Sequence, residues 1–161
     1  PHIVYLANSS GIKVGITKKP NIPSRWIDQG AVAALPIIET RSRKDSGVIE
    51  KQLKNYVNDT TNWRKMLQNK VERINLLEAK QQLLPNIANM ITKIDAKILT
   101  KEVTNISYPV LEYPDKINSI NLDKTPSISS KLKGIKGQYL LFEEGVINVR
   151  KFSSYNITLS I

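Results

Sequence analysis

Two short apolar runs at the start of the chain constrain its fold most. Ile3-Val4-Tyr5-Leu6 and Ile12-Lys13-Val14-Gly15-Ile16-Thr17 flank the cluster Ala7-Asn8-Ser9-Ser10-Gly11. Apolar runs around such a polar, glycine-containing break predict a β-hairpin over residues 3–17. Lys18 to Pro23 reads as a loop punctuated by two prolines. Ser24 then caps a short helix that carries Arg25 and Trp26, and Gly30 ends it. Residues 31–40 (Leu35, Pro36, Ile37, Ile38) predict a third strand. The expected product is a small βαβ-like unit that brings together a phenol (Tyr5), a close-approach glycine (Gly15) and a guanidinium (Arg25). A phosphodiester-handling site needs groups of this kind.

The helical signal is strongest further on. A helix starts at Asp45 or Ser46, with Val48, Ile49, Leu53, Tyr56 and Val57 as its buried stripe. Glu50 and Lys54 sit one turn apart. Asp59-Thr60-Thr61-Asn62 is a cap cluster before a short helix over residues 63–67. Residues 74–99 read as helical, with Pro85 as a kink or break. After Thr104 the character changes. Tyr108-Pro109, Tyr113-Pro114 and Thr125-Pro126 mark turns. Residues 117–122, 134–142, 145–150 and 155–159 read as short strands, which implies a small curved sheet or barrel. The division expected is 1–68, a helical connector over 69–102, and a β-domain over 103–161.

Charge narrows the partners. Lysine and arginine number 24 against 14 acidic residues, for a net charge of +10. Such an excess favours polyanions, nucleic acid before anionic membrane. In the second half, Lys131, Lys133, Lys136, Arg150 and Lys151 interleave with Tyr139, Phe142 and Phe152, a pattern that suits single-stranded or structured nucleic acid. The opposing reading makes the aromatics core and the lysines guards of a sheet edge. There is no cysteine and His2 is the only histidine, so a zinc site built from these residues is not expected and a histidine triad has a single candidate, at the terminus. No apolar run reaches membrane-span length and no leader pattern is present, so the expectation is a cytoplasmic protein with no membrane partner. Pro1 in place of methionine raises the expectation of further chain upstream. Oligomeric state has no sequence signal here.

With these residues in view, the first 65 positions resemble the GIY-YIG endonuclease superfamily. Ile3-Val4-Tyr5 stands where that superfamily has Gly-Ile-Tyr, and Lys13-Val14-Gly15 where it has Tyr-Ile-Gly. Arg25 follows on the next helix and Glu50 on a later one. Asn62 stands for the asparagine beyond the glutamate. The likeness implies an α+β fold, with a small GIY-YIG-like sheet covered by helices before the small all-β, barrel-like C-terminal domain. It also implies a magnesium-dependent phosphodiester endonuclease. Tyr5 would position or deprotonate water, Arg25 would grip the phosphate with its fork of donors, and Glu50 would bind a single Mg²⁺. The second tyrosine is replaced by Lys13, which either orients water or phosphate or marks a binding-only descendant. The histidine that some relatives place on the arginine helix is absent, with Gln29 nearby. The expected catalytic set is Tyr5, Lys13, Arg25 and Glu50. The expected nucleic-acid contacts are Gly15, Lys18, Trp26, Asn62, Lys133, Lys136 and Arg150. A DNA or RNA reader without catalysis, and an interaction scaffold, are the alternatives.

A second resemblance spans nearly the whole chain, to a bacterial family known by a domain-of-unknown-function label. It rests on Pro1-His2-Ile3-Val4-Tyr5-Leu6, Gly11-Ile12-Lys13-Val14-Gly15-Ile16-Thr17, Arg25-Trp26-Ile27-Asp28-Gln29-Gly30-Ala31, Thr61-Asn62-Trp63-Arg64 and Gly134-Ile135-Lys136-Gly137-Gln138-Tyr139-Leu140. That likeness implies a cysteine-rich, zinc-binding segment upstream, and so zinc only outside the present residues.

Overall fold

The hairpin expected from the opening residues is the centre of the structure, a computed structural model that describes residues 1–57 and 61–161. Strand β1 (His2–Asn8) pairs antiparallel with β2 (Ile12–Lys18), Tyr5 facing Gly15 across the ladder. The turn is held by Asn8, whose Oδ1 accepts from the Gly11 amide at 3.1 Å, with Gly11 at φ 120°. Strand β3 (Ala33–Thr40) flanks β1 on its other side, also antiparallel, so the unit is not βαβ. Its register slips between Val4 and Tyr5, where Pro36 lies opposite Tyr5. Two-residue strands β4 (Lys97–Ile98) and β5 (Thr104–Asn105) both pair with β3, completing the sheet.

The run Ile3 to Ala7 is apolar throughout because both of its faces are covered. Alternation splits it. Val4 and Leu6 enter the larger core with Leu35, Ile38 and the helices, whereas Ile3, Tyr5 and Ala7 pack with Trp26, Ala31 and Ala34.

Helix α1 (Ser24–Asp28) lies on the Tyr5 side. Pro23, not Ser24, precedes it, and no side chain caps it. Helix α2 (Arg43–Leu53) begins two residues before the expected start, because Ser42 accepts from the Asp45 amide as its cap. Its buried stripe is Ser46, Ile49 and Leu53. Val48 faces outward, since the true phase of the helix turns it away from the sheet, and Tyr56, also exposed, lies beyond the end of α2. Gly47, inside α2, has no atom within 4 Å of where a Cβ would stand.

Helix α3 (Trp63–Leu67) is capped by Asn62; Asp59 and Thr60 of the expected cap cluster lie outside the described residues. Pro85 breaks the next helical stretch as expected. Helix α4 (Leu76–Leu83) passes through a 3-10 turn at Leu84–Ile87 into α5 (Ala88–Lys93). Helix ends there, and the chain returns to the sheet as β4 rather than continuing to residue 99.

The C-terminal region is a separate three-stranded antiparallel sheet, β6 (Leu132–Lys136), β7 (Tyr139–Phe142) and β8 (Val146–Asn148). The glycine-led stretch 134–142 is therefore two strands. Gly137 (φ 60°) turns the chain between them, a backbone region costly for other residues. Residues 117–122 contribute only one isolated bridge, Ser119 to Val146, and 155–159 form no strand. Among the described residues these strands do not close into a barrel. The molecule is thus a mixed α+β protein with antiparallel sheets and a small all-β region.

Lys136 joins the two parts. Its side chain is fully buried, and Nζ donates to the Met66 carbonyl at 3.0 Å and to Asn69 Oδ1 at 3.2 Å, with the rings of Tyr108 and Tyr113 just over 5 Å away. Burial pushes its pKa down from 10.5 to about 8. Both hydrogen bonds survive deprotonation, because a neutral amine keeps two protons. The unfolded chain binds the extra proton between about 8 and 10.5, so this residue makes stability rise with pH across that window. Lys136→Met is expected to flatten that rise in denaturant midpoints measured across the window. Lys136→Ala is expected to cost about 3 kcal/mol by leaving a cavity and an unpaired carbonyl.

Candidate functional site

Tyr5 owes its position to the ladder. Opposite it, Gly15 has no side chain, and a Cβ there would come within 2.5 Å of Tyr5 Cζ and Oη. The phenol therefore lies flat over the β2 backbone, where no residue but glycine leaves room. Its hydroxyl donates to Gln29 Oε1 at 3.0 Å, and Trp26 meets the ring edge-on at 5.9 Å. Arg25, one turn before Gln29, acts on the same hydroxyl by charge and hydrogen bonding. The Glu50 carboxylate, from α2, acts on it from farther off. Burial dominates and raises the Tyr5 pKa; Arg25 and Gln29 oppose the rise and Glu50 adds to it. At neutral pH the phenol keeps its proton and serves as a donor.

Lys13 sits two residues before Gly15 on β2, on the face that Tyr5 shares. Glu50 is partly buried and pairs with Lys54 at 3.4 Å. A magnesium ion takes one or two carboxylates, several waters and substrate phosphate oxygens. Glu50 would be the single protein ligand of such an ion, with the carboxylate now engaged by Lys54. Among the described residues no three His, Cys, Asp or Glu side chains come together, so zinc has no fit here.

Arg25 also faces a second space. A cleft of about 760 Å³ opens between α1 and the C-terminal sheet, lined by Ser24, Arg25, Asp28, Gln138, Tyr139 and Arg150 among others. The cleft exists because the β6–β7 turn touches α1. A Cβ on Gly137 would stand 3.1 Å from the Asp28 carbonyl and the Gly30 amide.

The remaining expected contacts scatter. Lys18 ends β2 and is exposed, two residues before the cleft-lining Pro20. Trp26 is buried, its Nε1 without a partner, so its faces are closed to a ligand. Asn62 spends its side chain capping α3, and its amide donates to Ser10 Oγ at 2.6 Å. Lys133 pairs with Glu112 at 3.4 Å, on a different surface depression from Arg25. Lys136 is inside the protein. Arg150 alone of the C-terminal group shares a cavity with Arg25.

A model of the family described as protein of unknown function (DUF2797) matches residues 1–157. The chain belongs to this family. No curated protein matches it, and no solved structure does. The DUF2797 match spans both the sheet with Tyr5 and the C-terminal strands, so the two walls of the cleft belong to one family unit. No helix among the described residues of this DUF2797 chain is long and apolar enough to cross a membrane.

Two residues escaped sequence reasoning as partners of the site. Gln29 accepts the hydrogen bond of the Tyr5 hydroxyl; the sequence places it near the absent histidine of the arginine helix but does not assign it to the site. Asn148 orders the cleft wall: it accepts from the Arg150 and Lys151 amides and donates to the Tyr139 hydroxyl at 3.3 Å. An asparagine two residues before an arginine is the signal that was there to use.

Proposed function

We propose that this protein binds nucleic acid and cleaves its phosphodiester backbone at the Tyr5–Arg25–Glu50 cluster, in the manner of GIY-YIG endonucleases. What supports the reading is one arrangement: the Tyr5 hydroxyl, held over a bare glycine, donates to Gln29 one turn after Arg25, with the Arg25 and Glu50 charges bearing on the phenol in opposite senses. Arg25 grips the non-bridging oxygens with paired donors and neutralises charge that builds in the transition state. Tyr5, held protonated, orients Gln29 and Arg25 rather than removing a proton from water. Lys13 adds positive charge on the same face. Glu50, with the substrate phosphate, would hold magnesium, which polarises the phosphate and acidifies its bound water. The net charge of +10 supplies the attraction to a polyanion.

The test is cleavage of labelled oligonucleotides by the purified chain. Product is expected with magnesium and none after chelation. Glu50→Gln is expected to lower the rate by about 10²-fold while binding is kept, since only the ion's anchor is lost. An undiminished rate in Glu50→Gln overturns the assignment. A second reading, a DNA or RNA reader without catalysis, draws on the complete burial of Tyr5. It is distinguished by binding that weakens steeply with salt and yields no product at any magnesium concentration.

A further inference from the structure

We infer that the cleft between α1 and the C-terminal sheet is a channel for a single, unpaired nucleic-acid strand; the inference rests on the function proposed above and specifies its substrate. The cleft has two guanidinium groups, from residues far apart in sequence. Arg25 comes from α1, and Arg150 from a 3-10 turn at Val149–Phe152. Asp28 is the opposing acid of the lining, so the charge balance there is positive. Arginine forks bind phosphate through paired hydrogen bonds, and two of them along one trough suit a strand passing through rather than a lone anion.

Tyr139 and Gln138 line the same cleft as the arginines. Tyr139 is fixed in place, packed beside Met66, Leu67 and Leu141. Trp63 stacks parallel to it (5.7 Å, 3°), Arg64 covers Trp63 at 4.4 Å, and Asn148 holds the Tyr139 hydroxyl. The same Asn148 side chain secures the turn that carries Arg150, so ring and guanidinium keep a set relation. A ring and an amide offer a base a π-surface and hydrogen bonds. In a duplex the base faces are hidden within the stack, and only the phosphates would meet this wall. A volume of about 760 Å³ is that of a ligand pocket, on the scale of a few nucleotides rather than of a double helix. Arg25 lines the cleft and sits one turn before Gln29, the acceptor of the Tyr5 hydroxyl, so a strand bound here would have its backbone beside the proposed cleavage cluster.

The experiment is fluorescence anisotropy with labelled oligothymidylate and with a self-complementary hairpin of equal length, in chelator so that neither is cut. Oligothymidylate is expected to bind at least about tenfold tighter than the hairpin. Arg150→Ala, a change at an exposed side chain, is expected to weaken oligothymidylate binding about tenfold and to reduce the salt slope by about one, leaving the hairpin unaffected. Gln138→Glu, which places a carboxylate in the trough, is expected to weaken it likewise. Equal affinity for the two probes, or an Arg150→Ala chain that binds oligothymidylate as the wild type does, overturns the channel. If that happens while Glu50→Gln still abolishes cleavage, the proposed function stands without the channel. If the wild-type chain binds neither probe, both fall.

Discussion

Replacing Arg25 with alanine is expected to lower phosphodiester cleavage by about 10³-fold, the scale seen when a preorganised cation or donor is removed from a developing negative charge. Lysine is expected to restore less than a tenth of that loss. An ammonium is a single, strongly hydrated charge and cannot span two phosphate oxygens as a guanidinium does. The fold should tolerate either change, because Arg25 is only half-buried and the core of α1 is Trp26. Single-turnover cleavage, read beside thermal melting, checks both halves of the expectation. An Arg25→Lys chain with full activity would show that net charge alone, and not the fork, does the work. An Arg25→Ala chain with full activity would remove the cleavage proposal altogether.

The largest effect on stability is expected at Gly15. Its missing side chain is what admits the Tyr5 ring, and a methyl group there would approach Cζ and Oη to 2.5 Å. A flexible side chain could retreat from such a clash. Tyr5 cannot, because Trp26 packs against the ring and Gln29 holds the hydroxyl. Gly15→Ala is therefore expected to cost about 3 kcal/mol and to lower the melting temperature by about 10 °C. The same change in a Tyr5→Leu background should cost much less, since the atoms in the way are gone. Gly47→Ala is the matching control: inside α2 with nothing near, it is expected to stabilise by about 1 kcal/mol. Chemical denaturation of the wild type and the four variants, Tyr5→Leu among them, measures all three terms. Additive costs at Gly15 and Tyr5 would show that the phenol is not the obstacle.

Legibility followed the range of the interactions. The opening hairpin was readable because its signals are local: two apolar runs, a polar turn and a glycine within seventeen residues. Asn62 could be read as a cap for the same reason, and it does cap α3. The stripe of α2 was harder. Ile49 and Leu53 were assigned correctly, but Val48 is exposed, because apolar residues on two adjacent faces leave the helix phase open until the sheet takes one of them, and Tyr56 is exposed because the helix ends at Leu53. Lys136 illustrates the deeper difficulty. In sequence it is one lysine of a basic, aromatic-rich segment. In the fold, two tyrosines, a carbonyl and an asparagine close around it. Nothing near it in the chain announces these partners.

The sequence by itself determined the central hairpin, the order of helices after it and the surplus of positive charge. Each of these follows from neighbours in the chain or from a simple count. Only the tertiary structure decided that Tyr5 is sealed and protonated, that Lys136 is inside, and that Arg150 rather than Lys133 meets Arg25 across a cleft. The physical reason is that burial and convergence arise when the β6–β7 turn meets the end of α1, a contact between residues more than a hundred positions apart.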